Sequence, residues 1–176
     1  GEVALSGAGQ VTIVTVLAED IEVSISGMTL QDGEATVASD INDGGWNYAG
    51  GAINVDYESM VELTDVLLSD NNGPVGGAFF AGSGATISGT GITTVGNTST
   101  GGGAVGHGFG AHLELTNLTV GETGLTGISS SDGWVTLSNT AMSGFEAALF
   151  LEGDYAVISD SNFSGNENAL LITSST

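Results

Sequence analysis

The sequence predicts an all-β fold, a right-handed parallel β-helix of about seven to eight coils, on three observations. A six-residue pattern returns six times, a glycine-rich pattern returns between its copies, and no stretch carries a helical period. Repeats of about two dozen residues that hold two or three short strands each define a β-solenoid; a leucine-rich-repeat solenoid is the main rival, but its longer fixed consensus is absent.

The six-residue pattern reads Leu or Ile, then Ser or Thr, then Gly, Asn or Asp, then two free positions and an apolar residue. Its copies begin at Ile25, Leu63, Ile87, Leu115, Leu137 and Ile158 and end at Leu30, Leu68, Ile92, Val120, Met142 and Phe163. The intervals are 38, 24, 28, 22 and 21 residues. Upstream of most copies the chain alternates with period two: Val23 and Ile25, Val61 and Leu63, Leu113 and Leu115, Val135 and Leu137. Their neighbours Glu22, Glu62, Glu114 and Thr136 then face solvent, which describes a strand with one buried face. The third position holds Gly27, Asp65, Gly89, Asn117, Asn139 or Asp160. These residue types tolerate a left-handed backbone, so a tight corner is expected there.

The second pattern is Gly-Gly-Ala-apolar at 50–53, 76–79 and 102–105, with looser copies at Gly127-Ile128, Ala147-Ala148-Leu149 and Asn168-Ala169-Leu170. It predicts an inward stack of Ile53, Phe79, Val105, Ile128, Leu149 and Leu170. Residues 1–176 form one domain, and the 38-residue interval places an inserted loop at about 33–49. At ~4.8 Å per coil the expected rod is roughly 35 Å long.

Charge bounds the function. The chain has 21 Asp and Glu, two His and neither Lys nor Arg, a net charge of −21. Nothing can neutralise phosphates, so nucleic acid is excluded as a partner, and anionic membranes and glycans are disfavoured. The acidic surface suits solubility, a high-salt environment or resistance to trypsin-like proteases. Apolar runs fall short of a membrane span, no signal-peptide pattern is visible, and cysteine is absent. These features fit an extracellular or cell-surface location.

Candidate sites are few. Asp40, Asn42 and Asp43 in Asp40-Ile41-Asn42-Asp43-Gly44-Gly45 partly match a calcium loop, which lacks its fifth-position acid and has Gly51 where the terminal Glu belongs. No cofactor is required; calcium or other divalent cations are expected to gather around uncompensated carboxylates. Trp46 and Tyr48 in the insertion and Trp134 beside Val135 offer aromatic faces to a glycan or protein surface. No catalytic residue is assigned, and His107 and His112 lie in no triad-like context. The alternative is a glycoside hydrolase using carboxylates alone, with Asp154 and Asp160, or Glu62 and Glu114, as pairs. An ice-ordering face is not expected, because the threonines do not line up between coils in the sequence pattern.

Gly-Gly-Ala-apolar followed by Phe-x-x-Asn resembles the repeats of polymorphic outer-membrane proteins and related autotransporter passengers. The first half is clear in three copies; the second is complete at Phe163-Ser164-Gly165-Asn166 and nearly so at Leu68-Ser69-Asp70-Asn71. The resemblance covers roughly 140 residues and implies right-handed β-helical architecture and a surface-exposed passenger or adhesin. A non-catalytic role is expected separately, because pectate-lyase-like chemistry would need a basic residue that is missing. Strand-like Val11–Leu17 and Ala169–Ile172 near the two ends lead us to expect end-to-end self-association, or continuation within a longer chain.

Overall fold

The computed structural model describes residues 3–35 and 49–174, and among these it is all-β. Every strand pair is parallel, and neighbours in a sheet are separated by one repeat of the chain. A six-stranded sheet runs from Glu22–Ser26 through Met60–Thr64, Thr86–Thr90, His112–Thr116 and Trp134–Ser138 to Tyr155–Ser159. A seven-stranded sheet runs from Val14–Val16 to Asn168–Thr173, and a five-stranded sheet from Val3–Ser6 to Thr119–Val120. Asn72–Gly73 and Thr98–Ser99 make a fourth, two-stranded sheet. The architecture is that of parallel strands in stacked sheets, compatible with a β-solenoid.

The alternation that predicts inward side chains holds through the middle strands of the six-stranded sheet, but not in Tyr155–Ser159, where all five residues are exposed and Ile158 is not in the core. Val61, Leu63, Leu113, Leu115, Val135 and Leu137 are fully buried in one apolar core, and their neighbours Glu62 and Glu114 are exposed. The corners follow as well: Gly27, Asp65, Gly91, Asn117, Asn139 and Asp160 all have φ between 48° and 67°. Only short or side-chain-free residues accept that conformation without a steric penalty.

The third copy departs from the expected register by two residues. Ile87 pairs with Val61 and Leu113, so Gly89 takes the inward place beside Leu63 and Leu115. The corner therefore falls at Gly91, not Gly89. The empty volume over Gly89 is filled by Ile92, whose Cγ1 would stand 3.2 Å from a Cβ on that glycine. Thr94, paired with Leu68 and Val120, occupies the place assigned to Ile92. With this correction, consecutive coils in the middle of the chain repeat at 26 residues, before shortening to 22 and 21.

The glycine-rich ladder shows a similar exchange. Phe79 pairs with Gly106 instead of Val105, and the Phe79 ring lies where a Gly106 side chain would be. The stack is thus Ile53, Phe79, Gly106, Ile128, Leu149 and Leu170. The Gly-Gly pairs answer to crowding between coils. A Cβ on Gly51 would run into the carbonyl of Gly77, and one on Gly77 into that of Ala104.

Candidate functional site

Outward residues of the six-stranded sheet form three columns. The first is Glu22, Met60, Thr86, His112, Trp134 and Tyr155. The second is Ser24, Glu62, Ser88, Glu114, Thr136 and Val157, and the third is Ser26, Thr64, Thr90, Thr116, Ser138 and Ser159. The third column corrects the expectation that threonines do not line up between coils: Thr64, Thr90 and Thr116 lie in register, and Thr116 and Ser138 are hydrogen-bonded at 2.9 Å. Glu62 and Glu114 interrupt the neighbouring column, so the face alternates hydroxyls and carboxylates and is not a threonine array.

The lower part of the first column is aromatic. The Trp134 ring lies 4.3 Å from Tyr155 and 6.0 Å from His112, centroid to centroid, at tilts of 46° and 53°. Trp134 is 46% and Tyr155 57% exposed. Parallel pairing in register forces this: one strand spacing of ~4.8 Å brings successive outward rings into contact. Beside the rings is an open recess of about 350 Å³, with His112 and Trp134 on one side and Asp132 at its edge. Gly84, Gly110, Ala111 and Gly133 line the rest, so its wall there is mostly backbone.

The two histidines occupy different environments. His107, on the seven-stranded sheet, stacks on Phe80 at 5.9 Å with planes 9° apart, and its Nδ1 is 2.6 Å from Ser129 Oγ. Burial lowers its pKa to about 4, because the charged ring would lose hydration there. His112 is half-buried at the edge of the recess.

The two acid pairs separate in the structure. The Asp154 carboxylate accepts hydrogen bonds from Ser130 Oγ at 2.7 Å and from the amides of Gly133 and Glu152 at 2.8 and 2.9 Å. The strand Tyr155–Ser159 then carries the chain roughly 20 Å to Asp160 at the next corner. Glu62 and Glu114 share a column on either side of Ser88, two strand spacings apart. A recess of about 200 Å³ lies between them, lined also by Thr64, Thr90 and Thr116.

Sequence reasoning missed a buried polar ladder. Asn71, Asn97 and Glu122 are each at most 4% exposed. Asn97 Oδ1 accepts from the Asn71 amide at 3.0 Å and from Asn71 Nδ2 at 2.8 Å. Asn97 Nδ2 donates to the Leu68 carbonyl at 2.9 Å and to the Glu122 carboxylate. Asn71 repeats this geometry one coil earlier, donating to Leu30 O and accepting from Gly33 N. Asn166 does so near the other end, donating to Met142 O and accepting from Phe145 N. Each asparagine thus closes a corner by satisfying one amide and one carbonyl of the coil before it. Glu122 ends the ladder, held also by Thr94 Oγ1 at 2.8 Å. The signal was the x-x-Asn spacing of Thr94-Val95-Gly96-Asn97, hidden by the threonine at the apolar position.

Asp40, Asn42, Asp43, Trp46 and Tyr48 lie outside the described residues. Among the described residues, no group of three or more His, Cys, Asp or Glu is placed to hold a metal ion, and no helix is long and apolar enough to cross a membrane. These features define the class, an all-β stack of parallel strands with its polar chemistry arranged in columns across the coils. No family model matches the chain, and no curated protein or solved structure matches it.

Proposed function

We propose that the chain is a right-handed parallel β-helix that serves as a non-catalytic structural or adhesive module at a cell surface or outside the cell. The seven-stranded sheet supports the lower end of the seven-to-eight-coil range. One observation carries the functional reading: the chemistry is spread in regular columns along a stacked face instead of converging in an enclosed cleft. Such a face suits repeated contacts with an extended partner. A passenger resembling those of polymorphic outer-membrane proteins, or a subunit that continues end to end, fits this geometry. Among the described residues Tyr155–Ser159 and Asn168–Thr173 are edge strands of the six- and seven-stranded sheets, and Ile158 and Leu170 on them are partly exposed. Divalent cations such as calcium would moderate the repulsion between coils that meet across such an edge.

A second reading, a carboxylate-only glycosidase, is favoured by the Glu62–Glu114 arrangement. Two strand spacings amount to roughly 9–10 Å, near the about 6.5–9.5 Å of inverting pairs. Both acids are exposed, and the recess between them opens to solvent. Incubation with a panel of polysaccharides, followed by assay of new reducing ends, separates the readings. A non-catalytic module leaves every polymer intact. Hydrolysis abolished by Glu62→Gln or Glu114→Gln would refute that reading. Electron microscopy with and without calcium tests end-to-end assembly, for which particles of one coil stack only, under both conditions, are the contrary result.

A further inference from the structure

We propose that the recess beside Trp134 is a binding site for a neutral glycan, with one sugar ring stacked on Trp134 and the chain continuing over Tyr155. The inference rests on the adhesive reading above and names its ligand class. At about 350 Å³ the recess falls at the small end of ligand sites. Its walls ask for a ligand with two unlike surfaces. Trp134 and His112 present rings, which suit the apolar C–H face of a pyranose. Asp132 presents a carboxylate, which suits the hydroxyl edge of the same ring, while the amides of Gly84, Gly110 and Gly133 are already bonded within the protein and leave a side-chain-free floor.

Geometry extends the site. The step from Trp134 to Tyr155 is one strand spacing along the stack, so a second sugar can follow the first onto the Tyr155 ring. The adjacent columns offer Thr136 and Ser138 hydroxyls one and two places across the same strand. Charge selects the class. The chain carries −21 and has no Lys or Arg, so uronic acids, sulfated sugars and phosphorylated sugars are repelled and find no basic partner. An uncharged hydroxylated ring meets all of these surfaces without an opposing charge.

The test uses the whole chain and a glycan array of neutral, glucosamine-containing and uronate-containing oligomers. Hits are followed by titration calorimetry and by the fluorescence of a Trp46→Phe protein, in which Trp134 is the remaining tryptophan. Neutral oligomers should bind and shift that fluorescence. Trp134→Ala should weaken binding by about tenfold or more, and Trp134→Phe by only about threefold, as expected for a central ring contact. Both substitutions fall at an exposed position, and unchanged circular dichroism melts check that folding is retained. No binding across the neutral oligomers overturns the proposal. So does neutral binding indifferent to Trp134→Ala, or binding confined to glucosamine oligomers and removed by salt. Any of these leaves the non-catalytic module standing. Binding accompanied by new reducing ends supports the site and refutes the non-catalytic reading instead.

Discussion

Replacing Asn97 by alanine should be among the most damaging single changes that leave the apolar core untouched. The side chain is 2% exposed and makes four hydrogen bonds, two accepted from Asn71 and two donated, to Leu68 O and Glu122. Truncation leaves the Asn71 amide, the Leu68 carbonyl and one Glu122 oxygen without their partners. Each unsatisfied buried group costs ~1–3 kcal/mol, and the groups share one network, so the sum is about 3–6 kcal/mol and not a simple addition. That is a large share of the ~5–15 kcal/mol typical of a folded domain. The assay is urea unfolding followed by circular dichroism. Guanidinium is avoided because its ions would screen the carboxylates and raise stability as they denature. Thr98→Ala is the control, since its hydroxyl makes one exposed bond to Asn72 and should matter by less than about 0.5 kcal/mol. An Asn97→Ala protein within about 1 kcal/mol of wild type would refute the ladder as a source of stability. Such a result would mean that water had entered and replaced the amide.

Four further outcomes are expected. Gly89→Ala should lose about 1–3 kcal/mol by forcing Ile92 aside, and adding Ile92→Val, which removes the offending methyl, should recover most of it in urea melts. Leu115→Asp, at a fully buried position, should cost several kcal/mol or prevent folding, and a melt within a few degrees of wild type would contradict the inward register. His107 has a pKa lowered from 6.5 to about 4, so the unfolded chain takes up its proton more readily. Its contribution is intact above pH 6.5 and is lost as pH falls from 6.5 towards 4, by roughly 3 kcal/mol; the stability difference between wild type and His107→Gln should follow that window. Thermal stability should rise with salt, because 21 carboxylates have no internal cation; calcium acting well beyond sodium at equal ionic strength would indicate a specific site.

The pattern of hydrophobic alternation and corner residues made most of the six-stranded sheet legible. Leu63, Leu115 and Leu137 follow a period of two, and a left-handed corner two residues later admits few residue types. The errors came where one coil borrows volume from another. Gly89 breaks the apolar pattern because Ile92 fills its space, and Gly106 does so because Phe79 covers it. A one-dimensional pattern matches residue types and cannot see a neighbour's side chain reaching across. The ring column was half visible. Trp134 was legible as an outward residue, but its contact with Tyr155 depends on a 21-residue register between strands. Glu122 was illegible because its burial follows from the asparagine one coil away, and no local feature marks an acid as inward.

The 26-residue step that carries Val61 to Ile87 and Ile87 to Leu113 in the six-stranded sheet gives this chain a unit of growth. Removing residues 76–101 would bring Gly102-Gly103-Ala104 to the place of Gly76-Gly77-Ala78 and join two corners of matching size. Asn71 would then face Glu122, whose carboxylate already receives an asparagine amide from the coil above. The 22- and 21-residue coils that bear Trp134 and Tyr155 allow no such exchange with the longer ones. Removing or repeating one such unit would change the length of the stack by one strand spacing, ~4.8 Å, and leave the Trp134–Tyr155 contact untouched.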